Sequence, residues 1–253
     1  MTKINLGQEA RFHDWVFQSG GRKPVSKFYA VAKSGKEYYE KFLLSNCRGK
    51  AILEYGCGMG SYAFALAKRG ARVTAIDISE VGIELAKARA HKEELENISF
   101  CVMDGEAMQF ADSSFDVACG KGILHHLRIE KALGELTRVL KPEGKAIFLE
   151  PMGYNPAINT FRKLTPRLRT ENEHPLTRKD LELIEKYFGQ TNHSFFNLSS
   201  LLAVPFRNTR KFSSILEALD SIDRSLFKWA PFLRWMAWQV VITLNKPRKP
   251  ATW

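Results

Sequence analysis

Through the first 150 residues, short apolar runs that end at an acid or a glycine alternate with segments of helical apolar spacing. Residues 51–55, Ala-Ile-Leu-Glu-Tyr, read as a buried parallel strand stopping at Gly56-Cys57-Gly58-Met59-Gly60. The next stretch, 61–69, places Tyr62, Phe64, Ala65 and Leu66 at helix-compatible spacing, with Gly70 as its stop. A second strand over 72–76 ends at Asp77, and Ser79 caps a helix from residue 80 to about 91. Strands over 98–102 and 114–119 follow, then a helix over 129–140. Leu140-Lys141-Pro142-Glu143-Gly144 is a turn signal before a fifth strand at 145–149. Further strands are predicted at about 191–198 and at 239–244. Strands alternating with helices predict an α/β fold with a doubly wound, mostly parallel sheet. Its nucleotide crevice lies where the first strand meets the glycine loop and the following helix.

The glycine spacing narrows the choice of nucleotide. A dinucleotide loop has G-x-G-x-x-G, whereas here the third glycine comes one residue early, at Gly60, and Glu54 stands two residues before Gly56. This E-x-G-x-G-x-G pattern resembles motif I of the class I S-adenosylmethionine-dependent methyltransferases. Asp77 ends the second strand, where an ionised carboxylate, which only accepts hydrogen bonds, can take both ribose hydroxyls of an adenosine. Ile78 follows and is placed to lie against the adenine. Asp104, in Asp104-Gly105-Glu106, is placed to accept from the adenine amino group. With Ser114-Phe115-Asp116, Leu124-His125-His126 and Leu140-Lys141-Pro142-Glu143-Gly144, the series over about 45–152 is similar to the small-molecule (methyltransferase type 11-like) branch of that family. The resemblance implies six parallel strands and a seventh, reversed one at 239–244. It implies S-adenosylmethionine as cofactor, with Glu54, Gly56, Gly58, Gly60, Asp77, Ile78, Asp104, Gly105, Glu106 and Gly120 as its binding residues.

The 253 residues, 45% of them hydrophobic, suffice for one large core, and no linker, repeat or low-complexity tract divides them. One domain is expected: an N-terminal lid over 1–44, a cofactor-binding core over 45–152, and helical lid insertions at 153–176 and 200–236. Residues 1–10 lack a signal-peptide apolar region and no apolar run reaches membrane-spanning length, so a cytoplasmic protein is expected. Cys47, Cys57, Cys101 and Cys119 show no metal-type spacing and read as reduced, small apolar fillers. No compact carboxylate cluster of the kind a metal-dependent methyltransferase uses is evident, and no metal is expected. The formal net charge of +11 is uneven: residues 151–253 hold 16 Lys and Arg against 8 Asp and Glu. A basic face can meet nucleic acid, anionic lipid or an acidic substrate, or simply be solvated.

Transfer from a sulfonium needs no activation of the leaving group, so positioning in a desolvated cleft carries most of the rate. A hydroxyl or protonated amine acceptor also needs a base, which a histidine near its ordinary pKa can supply. His125 and His126, beyond the fourth strand, and Glu150, at the end of the fifth, stand on the active-site side of the sheet. They are the catalytic candidates. His13, Tyr154 and His174 are candidates for the acceptor site. The aromatic residues Phe227, Trp229, Phe232, Trp235 and Trp238 suggest a lid over a partly hydrophobic acceptor, with membrane contact secondary. The reading is methyl transfer to a small organic acceptor, at oxygen or alternatively at nitrogen. An RNA methyltransferase is the first alternative. The basic balance favours it, but no RNA-binding module and no Asn-Pro-Pro-aromatic motif after the fourth strand supports it. A cofactor-binding regulatory or scaffold subunit without turnover is the second.

Overall fold

The computed structural model describes residues 6–19, 25–170 and 172–248. Residues 1–5 and 20–24 of the expected N-terminal lid lie outside that set. A seven-stranded sheet has the order β3-β2-β1-β4-β5-β7-β6. It comprises β1 (Ala51–Tyr55), β2 (Arg72–Asp77), β3 (Ile98–Val102), β4 (Phe115–Lys121), β5 (Leu140–Pro151), β6 (Phe188–Phe196) and β7 (Gln239–Pro247). The first five strands pair in parallel, and β7 runs antiparallel to both β5 and β6. The reversed last strand is therefore as expected. β6 begins earlier than its apolar pattern suggested, because Phe188 already pairs with Pro247.

Each face of the sheet carries a helical layer. On one side Leu53 and Tyr55 pack with α6 (Ile129–Val139) and α8 (Arg178–Lys186). On the other, Ile52 and Ala75 pack with α3 (Lys33–Ser45), α4 (Ala63–Ala67) and α5 (Glu80–Lys92). The alternation of β1 side chains between two buried cores is why its sequence is apolar apart from Glu54 and Tyr55, whose polar atoms are hydrogen-bonded within the protein. Leu133 and Leu136 of α6 are fully buried, each worth about 1.5–3 kcal/mol relative to exposure. The signal at 140–144 is a local irregularity inside β5. Leu140 pairs with Phe115 and Lys145 with Val117, so the intervening residues loop out of register.

The chain order reverses between β1 and β4, which opens a crevice at their C-terminal ends. α1 (Leu6–Ser19) closes one side of it. Asp14 of α1 accepts from the Ser79 hydroxyl, and its carboxylate also meets Val81 N at 3.3 Å, tying the helix to the start of α5. Ser79 in turn accepts from Gly82 N at 3.0 Å, so one hydroxyl caps α5 and anchors the lid. α2 (Ser26–Tyr29) and α7 (Pro156–Leu164) flank a second opening. Among the described residues, no helix is long and apolar enough to cross a membrane.

The C-terminal insertion folds differently from its expected role. A 3-10 segment (Ser199–Phe206), α9 (Phe212–Trp229) and a second 3-10 segment (Pro231–Met236) form a unit of their own. Val204 and Leu216 from it pack with Val31, Ile158 and Trp238. Asp223 of α9 holds the preceding turn by accepting from Leu198 N at 2.9 Å and Ser199 N at 2.7 Å. Trp229 and Phe232 are 81% and 69% exposed, and no residue of 200–236 lines either cavity described below. Of the five aromatics Phe227, Trp229, Phe232, Trp235 and Trp238, only Trp238 lines one of these cavities; the other four belong to the packing and outer surface of this unit.

Candidate active site

Two cavities meet at Lys121 and Gly122, just beyond β4. The larger, about 490 Å³, runs along the glycine loop and under α1. Gly58 has φ +52°, and a Cβ there would stand 2.9 Å from the Phe17 ring of α1. Only glycine takes that backbone angle freely and lets the lid close so near the main chain. Asp77 organises the loop: its Oδ2 accepts from Gly58 N at 2.7 Å and its Oδ1 from Ser79 N at 2.9 Å. A carboxylate oxygen accepts more than one hydrogen bond, so both oxygens keep capacity toward the cavity that Asp77 lines. Ile78, Met103, Ile123 and Leu127 supply an apolar wall. Gly105 also lines the cavity, and a Cβ there would overlap the Tyr55 ring at 2.0 Å.

Several acids near this cavity prove to be structural. Glu54 is 1% exposed and accepts from Ser61 Oγ at 2.6 Å and Tyr62 N at 2.8 Å through one oxygen. Its other oxygen accepts from Ala63 N at 2.8 Å. It caps the glycine loop and α4 from within the core. Burial pushes it up to about 7 against those hydrogen bonds. Glu106 is likewise turned away: it accepts from Arg128 N at 2.7 Å and pairs with the guanidinium. Gly120 has no place in the wall; a Cβ there would strike Ile123 and Phe148 within 2.9 Å, so it serves core packing. Asp104 accepts from Glu106 N at 2.8 Å and shapes the turn, while its neighbours Met103 and Gly105 form the cavity surface.

The smaller cavity, about 180 Å³, lies between α2, α7 and the ends of β5 and β7. Phe28, Tyr29, Phe161 and Trp238 give it aromatic walls, and Lys121, Arg162 and Arg169 make it basic. Burial lowers the pKa of Lys121, and lowers Arg162 to about 10. Deep in this cavity His125 and Glu150 form a buried pair, with His125 Nδ1 2.7 Å from Glu150 Oε2. Glu150 Oε1 accepts from Ile123 N and Leu124 N, both at 2.9 Å. The carboxylate therefore fixes the 3-10 turn Leu124–His126 and orients the imidazole together. Burial pushes Glu150 up to about 7, against the two backbone donors.

The neighbouring histidine faces the other way. His126 lines the larger cavity with Glu9 and His13. It is 5% exposed, and burial with His125 alongside lowers it to about 4, so it is neutral at physiological pH. His13 Nε2 lies 3.3 Å from Glu9 Oε1 one helical turn away. The sequence candidates thus separate: His125 and Glu150 share the smaller cavity, while His13 and His126 share the larger. Two candidates fall outside both. His174 is exposed, and only its backbone N serves the site, by donating to His125 O at 2.8 Å. Tyr154 is 43% exposed, and its hydroxyl meets Arg178 N at 3.4 Å. Gly153 N donates to Leu176 O at 2.9 Å and tethers the two ends of the loop that carries them. Glu9, Phe28, Tyr29, Phe161 and Arg162 were missed. Only the Glu9–His13 pair, four apart on one helix, carried a readable signal.

The sheet order, reversed β7, glycine loop and Asp77 together define the class I methyltransferase fold. Residues 53–148 match the sequence profile described as a methyltransferase domain. The chain is 32% identical over 155 residues to a ubiquinone biosynthesis O-methyltransferase of Coxiella burnetii (58% of this chain, 64% of that protein). It is 39% identical over 100 residues to a ubiquinone/menaquinone biosynthesis C-methyltransferase of Zymomonas mobilis (39% of this chain, 41% of that protein). It thus spans less than two thirds of the length of these relatives. Phosphoethanolamine N-methyltransferase 2 of Haemonchus contortus superposes with a TM-score of 0.63 at 18% identity, over 94% of this chain and 60% of that one. Over residues 53–148 the chain is similar to S-adenosylmethionine-dependent methyltransferase domains, and its fold is the one that class I methyltransferases share. The larger cavity fits that cofactor. The glycine loop lines its floor, Asp77 presents acceptor oxygens, and the apolar wall suits a purine.

Proposed function

We infer that the protein transfers a methyl group from S-adenosylmethionine to a small, partly hydrophobic acceptor held in the smaller cavity, most simply at an oxygen. The observation that carries this reading is the junction at Lys121–Gly122. There a cavity fitted to the cofactor opens beside one that holds an oriented histidine. When bound, the cofactor supplies an electrophilic methyl on a sulfonium. The chain's own residues do the rest. Asp77 binds the adenosine sugar, with Ile78 and Met103 against the base, and α1 excludes water above the glycine loop. The aromatic walls Phe28, Tyr29, Phe161 and Trp238 hold the acceptor by apolar contact. His125, with Nδ1 held by Glu150, takes the hydroxyl proton at Nε2 as the acceptor oxygen becomes nucleophilic. Transfer at nitrogen would use the same geometry, with His125 removing the proton from the amine.

A cavity of about 180 Å³ with aromatic walls suits a small molecule, while a single extruded base would also fit such a pocket, so RNA is one arm of the test. The outward position of Trp229 and Phe232 leaves membrane contact as a separate matter from acceptor binding. The test is incubation with methyl-labelled cofactor and three acceptor pools: a library of phenols, hydroxyacids and amines, bulk RNA, and anionic liposomes. Label is expected in the first pool alone. Incorporation into RNA, or one-to-one cofactor binding with no transfer to any pool, would contradict the reading.

A further inference from the structure

Beyond methyl transfer, we propose that Glu9, His13 and His126 form a binding site for one divalent first-row transition-metal ion at the inner end of the larger cavity. One ligand atom from each residue lies within 4.8 Å of the other two. Glu9 Oε1 stands 2.7 Å from His126 Nδ1 and 3.3 Å from His13 Nε2. Two ligands bonded to one ion at about 2.0–2.2 Å sit about 3.0–3.5 Å apart at octahedral or tetrahedral angles, so the 3.3 Å separation fits a shared ion and the 2.7 Å one would open by a few tenths of an ångström on binding.

His126 provides the second, independent observation. It is 5% exposed, yet its Nδ1 has no hydrogen-bond partner despite the carboxylate oxygen close by. The Glu9 oxygen is near but out of line for a hydrogen bond. A buried ring nitrogen left in this way has lost its water without gaining a partner. An ion between the nitrogen and the oxygen would satisfy both. The carboxylate is also held as a ligand would be: Thr170 Oγ1 donates to Glu9 Oε1 at 3.0 Å and Asn172 Nδ2 to Oε2 at 3.2 Å. Such outer hydrogen bonds orient metal-binding carboxylates. Glu9 and His13 are four residues apart on α1 and so share one helix face.

The donor set selects the ion. Two imidazoles and a carboxylate suit Zn²⁺, Fe²⁺, Co²⁺ or Mn²⁺ over the oxygen-seeking Mg²⁺ and Ca²⁺. Three protein ligands leave a coordination position toward the cavity, where a water or a ligand oxygen could bind. His126 also belongs to a second grouping with His125 and Glu173. There, however, His125 is engaged by Glu150, and Glu173 lies 3.3 Å from Arg169. The three-residue site at α1 is the better donor set, and it would clamp the lid helix to the turn after β4.

The test reads metal rather than activity. Untagged protein, stripped with chelator and dialysed, is titrated with Co²⁺ and with Zn²⁺ by calorimetry, and Co²⁺ is followed by its visible absorption. One ion per chain is expected, with visible bands of a nitrogen- and oxygen-bound Co²⁺. His13→Ala and His126→Ala should each weaken binding by about tenfold or more. His91→Ala, at an exposed position on α5, should leave it unchanged. Glu9→Gln keeps an oxygen for Thr170 while removing the charge, and carries the test if His126→Ala does not fold, as judged by circular dichroism. Absence of stoichiometric binding by the wild type would overturn the site. So would affinity that survives both His13→Ala and Glu9→Gln.

Discussion

Asp77→Ala is expected to weaken binding of S-adenosylhomocysteine by about a hundredfold, with the protein still folded. Two effects combine. The carboxylate accepts from Gly58 N at 2.7 Å and Ser79 N at 2.9 Å, and so holds the glycine loop against the start of α5. It is also the ionised acceptor available to two ribose hydroxyls. A hydrogen bond to a charged group contributes about 1.5–3 kcal/mol, and 1.4 kcal/mol is a factor of ten. Loss of two such bonds therefore predicts about a hundredfold or more. Calorimetry on wild type and variant measures the ratio. Asp77→Asn separates the two effects, because one amide oxygen can still accept while the amide nitrogen cannot. It should fall between the two proteins. Unchanged affinity in Asp77→Ala would remove the second strand from the cofactor site.

Glu150→Gln should lower the methyl-transfer kcat by about 10²–10⁴, the range that a positioned proton-transfer group supplies, while cofactor affinity stays near wild type. The glutamine oxygen can still accept from Ile123 N and Leu124 N, so the turn keeps its shape. Its amide nitrogen then faces His125 Nδ1 and donates where the carboxylate accepted. The ring proton is driven to Nε2, and His125 can no longer take the acceptor's proton there. The pH dependence carries the same information. Burial raises Glu150 from 4.5 to about 7, so it is protonated below that pH and ionised above it. The rate of the wild type should rise with pH through about 7 and level off. His126, lowered to about 4, is neutral across this window and adds no inflection there. A Glu150→Gln enzyme with wild-type kcat, or one that loses cofactor binding in parallel, would show that the pair is structural.

The core of the fold was legible because a parallel strand buried on both faces is mostly apolar, as in β1 apart from its hydrogen-bonded Glu54. The glycine loop and Asp77 were legible because their residue types follow from backbone angle and acceptor chemistry. The direction of neighbouring acids was not. Glu54, Asp104 and Glu106 all stand beside the crevice in sequence, yet Glu54 and Glu106 turn inward to satisfy backbone donors at helix starts. Those donors exist only once α4 and α6 are placed. The acceptor cavity was least legible, since Phe28, Phe161 and Trp238 are brought together by α2, α7 and β7 from distant parts of the chain. The two histidines illustrate the same limit. Adjacent residues in a tight 3-10 turn diverge, and only the fold shows that His125 meets Glu150 while His126 meets Glu9.

A crystal structure with S-adenosylhomocysteine tests the central claim most directly. The adenosine should occupy the larger cavity with both ribose hydroxyls within hydrogen-bond distance of the Asp77 carboxylate. The sulfur should point to the Lys121–Gly122 junction and into the cavity that holds His125. Density elsewhere, or a sulfur directed away from that junction, would contradict it.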